Sequence, residues 1–280
     1  MASHCYRCVV AKEFDMTAAS NTSRPFMVTE VAEGVHVLGS LRVNWYVVAD
    51  GGAYTIVDAG LPVHWPQVGA LLTALGAGLD DVEAVLVTHA HGDHAGNAER
   101  LRTEAAASVY AHAQDWEVMR TGQDPMPGLT QGLTMLLDVL RRPVLRSFMV
   151  EVVRGGGLPT FQAVAELSAL GDGEVLDVPG RPRVVHVPGH THGSCALHLA
   201  DAGVVFTGDA LITYGLAAPA RRRYGPQLVK DSWQEDPVQA LASLDRLEGL
   251  GAHTVLPGHG EPWTGGIDAA VEHARRLGRY

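Results

Sequence analysis

Thr88–Gly96 reads THAHGDHAG, with three histidines and an aspartate inside six residues, directly after the apolar run Glu83–Val87, EAVLV. The run has the length and composition of a buried strand, and Gly92 lets the chain turn tightly into a following helix. His89 and His91 flank one residue in the turn, so both rings can converge on one point. Asp93 and His94 stand at the start of the helix. Four N/O ligands exceed what one tetrahedral ion normally takes from a single short loop. The H-x-H-x-D-H spacing therefore points to two neighbouring metals, one served by His89 and His91, the other by Asp93 and His94.

Outward from this loop the chain alternates strands and helices. Val35–Gly39 and the stretch NWYVVADGGAYTIVDAG, with Asp50-Gly51-Gly52 as its turn, predict a strand and a hairpin. Pro66–Leu75 has helical spacing closed by Gly76, and a helix is expected from the histidine loop through Arg102, before a strand at Ser108–Ala111. The grammar returns in RVVHV, CALHL and GVVFTGD, a helix over Pro237–Leu250, the strand HTVLPGH and a helix over Ile267–Leu277. Two similar halves predict a layered α/β protein with helix-covered sheets. His190 in VPGHTHGS, Asp209 in FTGDAL, His259 in LPGHG and Asp58 in VDAG each occupy a glycine-bearing turn at the end of a strand, where α/β proteins place their sites.

Residues 114–172 carry few strand signals. Leu133, Leu136, Leu137 and Leu140 keep a helical period, as do Leu145, Phe148, Met149 and Val152. This predicts a helical insertion in one domain spanning 28–280, its stripes buried against the sandwich, against each other or in a homodimer. One face is expected to roof the metal edge. Residues 1–27 are expected to be a disordered tail, with Cys5 and Cys8 too few for a four-ligand zinc knuckle. The 280 residues hold three cysteines, which suits a reducing cytoplasm, and a net charge of −10, which disfavours nucleic acid. No signal-peptide core and no membrane-length apolar run is visible.

THAHGDH, PGHTHGS, FTGDAL and LPGHG, with VDAG upstream, resemble the metallo-β-lactamase-fold hydrolase superfamily over roughly residues 31–265. The resemblance implies an αββα four-layer sandwich with a two-metal edge. It implies that His89, His91 and His190 hold one metal, that Asp93, His94 and His259 hold the other, and that Asp209 bridges, with Asp58 orienting ligands from behind. Two zinc ions are the default, iron and manganese suiting the same donors. Such a pair would share a hydroxide that attacks a carbonyl, with Asp93 both holding metal and orienting the nucleophile. No G-x-S-x-G elbow offers a competing protein nucleophile.

The expected substrate is a small molecule with an ester, thioester or lactone carbonyl and an apolar acyl part, in the manner of hydroxyacylglutathione hydrolases and lactonases. Two other readings stay open: a persulfide dioxygenase-like oxidoreductase with one iron, and a β-lactamase, a class that generally lacks the bridging aspartate. His192 is a candidate for reaching the leaving group and Tyr214 for donating to an oxyanion. Arg221, Arg222 and Arg223 read either as a solvated face or as a grip for an anionic tail.

Overall fold

The computed structural model describes residues 29–40, 42–123, 128–158, 160–219 and 224–280. The tail with Cys5 and Cys8, and Arg221–Arg223, lie outside these residues. Strands β1 (Thr29–Ala32), β2 (Val35–Gly39), β3 (Asn44–Asp50), β4 (Ala53–Val57), β5 (Val82–Leu86), β6 (Ser108–Ala111) and β7 (Ser168–Ala169) form one sheet in sequence order. It is antiparallel through β4 and parallel from β4 to β7. Strands β8 (Arg183–His186), β9 (Cys195–Leu199) and β10 (Val204–Gly208) build the second sheet, and β11 (Ile212–Tyr214) pairs separately with β12 (Tyr224–Gln227). Strand β13 (Thr254–Pro257) returns parallel to β10 and completes the order β13-β10-β9-β8.

The period of two along each strand explains the layers. On β3, Trp45 and Val47 enter one core while Tyr46 and Val48 enter another. The first core lies under α1 (Trp65–Leu75), α2 (Gly92–Ala95), α3 (Ala98–Glu104) and α4 (Trp116–Thr121), through Val68, Leu71, Leu101 and Met119. The second core is the seam between the sheets, where Tyr46, Leu86, Leu197, Phe206 and Leu256 meet. On β10 the alternate residue Val205 faces a third core with Val255, Ala240 of α7 (Pro237–Ser243) and Val271 of α8 (Ile267–Leu277). Helix, sheet, sheet and helix follow in that order, as the α/β expectation has it. Among the described residues no helix is long and apolar enough to cross a membrane.

Three local details differ from the sequence reading. The helix after Thr88 is broken into α2 and α3 at Gly96 and Asn97. There the Gly96 amide donates to the Gly60 carbonyl at 3.0 Å, and Asn97 Nδ2 donates to the carbonyls of Ala59 and Leu61 at 2.8 and 2.7 Å. The Gly96 bond takes the place of a helical one, and the three together fasten the histidine loop to the turn carrying Asp58. Strands β1 and β7 are too short, at four and two residues, to show a period. The third difference lies between β6 and β7, where α4 is followed by α5 (Leu129–Arg141) and α6 (Pro143–Arg154). Leu145, Phe148 and Val152 of α6 are buried as expected, and Met149 is partly so. On α5, however, Leu133, Leu136 and Leu140 are exposed, and Leu137 is half-buried. That helix turns its polar side inward, with Asp138 buried.

The end of α6 touches the metal-loop helix backbone to backbone. A Cβ added at Gly92 would stand 2.1 Å from the Gly157 carbonyl oxygen, a contact no side-chain motion relieves. Gly92→Ala is expected to cost about 1–3 kcal/mol, as overpacking does. Denaturant unfolding of the metal-free protein checks this, the midpoint falling while the slope stays fixed.

Candidate metal centre

Strand direction gathers the site. β4, β5, β8, β10 and β13 end at one edge, and the turns leaving them carry Asp58, His89, His190, Asp209 and His259. Three groups of ligand atoms lie there, each within 4.8 Å of one another: His89, His91 and His190; His89, His94 and Asp209; Asp93, His94 and His259. All are buried except His91, which is partly so. Asp209 stands among histidines of both sets, its Oδ2 3.0 Å from His259 Nε2 and 3.5 Å from His190 Nε2, its Oδ1 3.6 Å from His94 Nε2. Asp93 Oδ2 is 3.7 Å from the Nε2 atoms of both His94 and His259.

Bonds behind the ligands decide which nitrogen faces inward. Asp58 adopts a left-handed backbone, with φ 58°, which aspartate tolerates better than most residues. Its carboxylate accepts the Thr88 amide at 2.8 Å and the Thr88 hydroxyl at 3.0 Å, and lies 2.9 Å from His94 Nδ1. Thr88 Oγ1 in turn is 3.1 Å from His89 Nδ1. His259 Nδ1 donates to the Arg42 carbonyl. His89, His94 and His259 therefore keep their protons on Nδ1 and point Nε2 at the cluster.

Three residues that the sequence did not single out hold the loops together. Asp115, in the turn entering α4, accepts the Ala90 amide at 3.0 Å, the Gly193 amide at 2.8 Å and the Thr191 hydroxyl at 2.9 Å. It thereby joins the loop of His89 and His91 to that of His190. Asn44 Nδ2 and the Tyr46 hydroxyl donate to the Pro257 carbonyl at 3.0 and 2.7 Å, and Asn44 Nδ2 also to the Gly260 carbonyl at 2.6 Å. The first sheet so grips the loop of His259. Asp115 follows HAQ, a stretch with no repeat or spacing to mark it; only the buried exit of β6 could have drawn attention to it.

The weaker candidates fall at the margins. His192 belongs to none of the three groups; its side chain is 64% exposed and its Nδ1 lies 3.7 Å from Glu235 Oε2. The Tyr214 ring is buried in an apolar wall with Leu145, Phe148, Val152, Leu216 and Ala217. Its amide donates to the His259 carbonyl at 3.2 Å, and Phe148 meets the His259 ring edge-on at 5.4 Å. Phe148 thus brings the apolar face of α6 to the cluster.

The donors fit divalent cations. His89 Nε2, His94 Nε2 and Asp209 Oδ1 are buried with no hydrogen-bond partner, and all three aim into the cluster. The protonation pattern agrees. Burial, with the neighbouring imidazoles, pushes His89 well below its ordinary value, and burial takes His190 down to about 3. Burial also opposes a charge on His94, yet Asp93, Asp58 and Asp209 outweigh it and raise that imidazole to about 10. His259 is raised too, Asp209 overcoming its burial. Asp209 goes well below the usual carboxylate range, since His259 and His94 outweigh the cost of burying its charge. The cluster calls for positive charge.

Two outcomes follow. At pH 8 an ordinary imidazole is already neutral, but one raised to about 10 still holds its proton. Zinc loading at pH 8 should therefore release about one proton or more per chain. Calorimetry in buffers of differing ionisation enthalpy measures it, and equal enthalpies in all buffers would exclude it. Asp115→Ala leaves the Ala90 and Gly193 amides unpaired and should lower zinc affinity about 10- to 100-fold by chelator competition.

The family model of the metallo-beta-lactamase superfamily matches residues 38–259. A probable metallo-hydrolase of Bacillus subtilis, YflN, is 27% identical over 251 residues, covering 84% of this chain and 87% of that one. An uncharacterized Mycobacterium leprae protein, ML0493, is 31% identical over 82% of this chain and 92% of its own length. Among solved structures, a metallo-beta-lactamase family protein of Thermus thermophilus superposes with a TM-score of 0.62 at 26% identity, over 89% of this chain and 80% of that one. A B3 metallo-beta-lactamase with an active site glutamic acid shares the fold, with a TM-score of 0.60 at 22% identity over 88% of this chain and 86% of that one.

Proposed function

The chain belongs to the metallo-beta-lactamase superfamily, and within that metallo-hydrolase family we propose that it is a binuclear zinc enzyme that hydrolyses an ester, thioester or lactone with an apolar acyl part. The observation that carries this reading is the position of Asp209, within 3.0–3.6 Å of histidines from both ligand sets. A carboxylate there suits two cations sharing one bridging ligand. His89, His91 and His190 would hold the first, and Asp93, His94 and His259 the second. Zinc so held supplies an activated water at neutral pH and polarises the carbonyl.

The protein's own groups do the rest. Asp93, on the first turn of α2, has a carboxylate oxygen directed at His94 and His259, and can accept a proton from the attacking water or orient it. Asp58, Thr88 and the Arg42 carbonyl keep imidazole nitrogens aimed inward. The wall of Phe148, Leu145, Val152 and Tyr214 would receive the acyl part and shield the reacting carbonyl from bulk water. A carboxylate at this position, where it would bridge two cations, also weighs against a β-lactam substrate. His94 and His259, both turned into the cluster, weigh against a mononuclear iron site that would leave them without a metal.

The test joins composition to kinetics. Purified protein should carry close to two zinc ions and turn over thioesters, aryl esters or lactones in preference to β-lactams. Phe148→Ala should raise KM for medium-chain acyl substrates on the order of tenfold, with acetyl substrates and zinc content little changed. One iron per chain, with oxygen consumed on a persulfide, would overturn the reading.

A further inference from the structure

Helix α5 is held to the body by one side only. Gln131 Nε2 donates to the carbonyls of Ser232 and Gln234, each at 3.3 Å. Seven residues on, buried Asp138 accepts from Lys230 Nζ at 2.5 Å, Ser232 Oγ at 3.2 Å and Arg142 Nε at 3.1 Å. At about 100° per residue these anchors lie about 180° around the helix from Leu129, Leu133, Leu136 and Leu140. The polar anchors face inward and the leucines face out, 95%, 58%, 54% and 59% exposed.

Four such leucines present about 500 Å² of apolar surface, toward the upper end of the largest patch a monomeric protein typically leaves uncovered, and patches of that size are often functional. Their spacing of four, three and four residues is the narrow a/d seam of a helix that packs on another helix. The stripe also reads the same in both directions. In an antiparallel pair of identical helices Leu129 falls opposite Leu140 and Leu133 opposite Leu136. About the same axis Thr130 and Leu137 flank the seam on one side, meeting their own counterparts, and Gly132 flanks it on the other beside Val139, which also leans inward against the core under α6. None of the flanking four is charged, and no like charges meet across the seam.

We infer that the outer face of α5 is a twofold homodimer interface, formed by α5 of a second copy lying antiparallel across it. The pair buries on the order of 1,000 Å², the threshold that separates a biological interface from casual packing. The arrangement is isologous, as a twofold axis requires, and its centre falls between Thr134 and Met135. The interface is independent of the reaction assigned to the site.

Sedimentation velocity on the full, metal-loaded chain at micromolar concentration tests it. The wild type should sediment as a dimer. Leu133→Glu should raise the dimer dissociation constant at least about 100-fold, since it buries a carboxylate against leucine, with zinc content and circular dichroism unchanged. Adding Leu136→Lys to the same chain sets the new ammonium opposite the new carboxylate of the second copy and should restore dimerisation. A monomeric wild type overturns the inference, whether the stripe is then found to bind anionic vesicles or to be covered by residues 1–28. So does a dimer that Leu133→Glu leaves intact, or a monomer that Leu136→Lys fails to rescue.

Discussion

The Asp58 carboxylate is the point from which the centre is organised. With two oxygens it meets the Thr88 amide, the Thr88 hydroxyl and His94 Nδ1. The hydroxyl passes its orientation on to His89. One buried negative charge so fixes two imidazoles from two directions, and its left-handed backbone is accepted in return. Such a group cannot be exposed without losing its effect, nor buried without partners. The turn after β4, the turn after β5 and the start of α2 must therefore close on each other, and the break at Asn97 lets them.

The gathering of donors was legible in the sequence because these residues come in clusters at strand ends. His89, His91, Asp93 and His94 announce themselves by density, and His190, Asp209 and His259 by their glycine turns. Their candidacy needs only local spacing, whereas the division of His190, Asp209 and His259 between two metals comes from the family resemblance. The strands were legible for a similar reason: β3, β5 and β10 are apolar enough to be buried on both faces, and period two then divides them between layers. What escaped was the long-range polar work. Asp115, Asn44 and Tyr46 are ordinary residues in ordinary contexts, and their importance lies wholly in which distant loop they meet. Residues 1–27 and Arg221–Arg223 lie outside the described part of the chain.

Helix α5 is the instructive departure. Amphipathicity states that a helix has two unlike faces, and the usual inference buries the apolar one. Here Asp138 has three partners, Lys230, Ser232 and, between α5 and α6, Arg142, and Gln131 has two carbonyls. Those bonds set the rotation of the helix. Burial pushes the Asp138 carboxylate upward, yet Lys230 and Arg142 hold it below its usual range. Paired charge, not apolar area, chose the inner face.

The grip of β3 on the His259 loop has a consequence for the order in which the protein is made. His89, His91, Asp93 and His94 leave the ribosome long before His259, at about 5–20 residues per second by roughly 10–30 s. Asn44 and Tyr46 are already present throughout that interval, with the Pro257 and Gly260 carbonyls they will hold not yet synthesised. The nascent chain thus carries His89, His91, Asp93 and His94 while His190, Asp209 and His259 are still to come. The donor set is therefore complete only once the second sheet has docked on the first, late in synthesis.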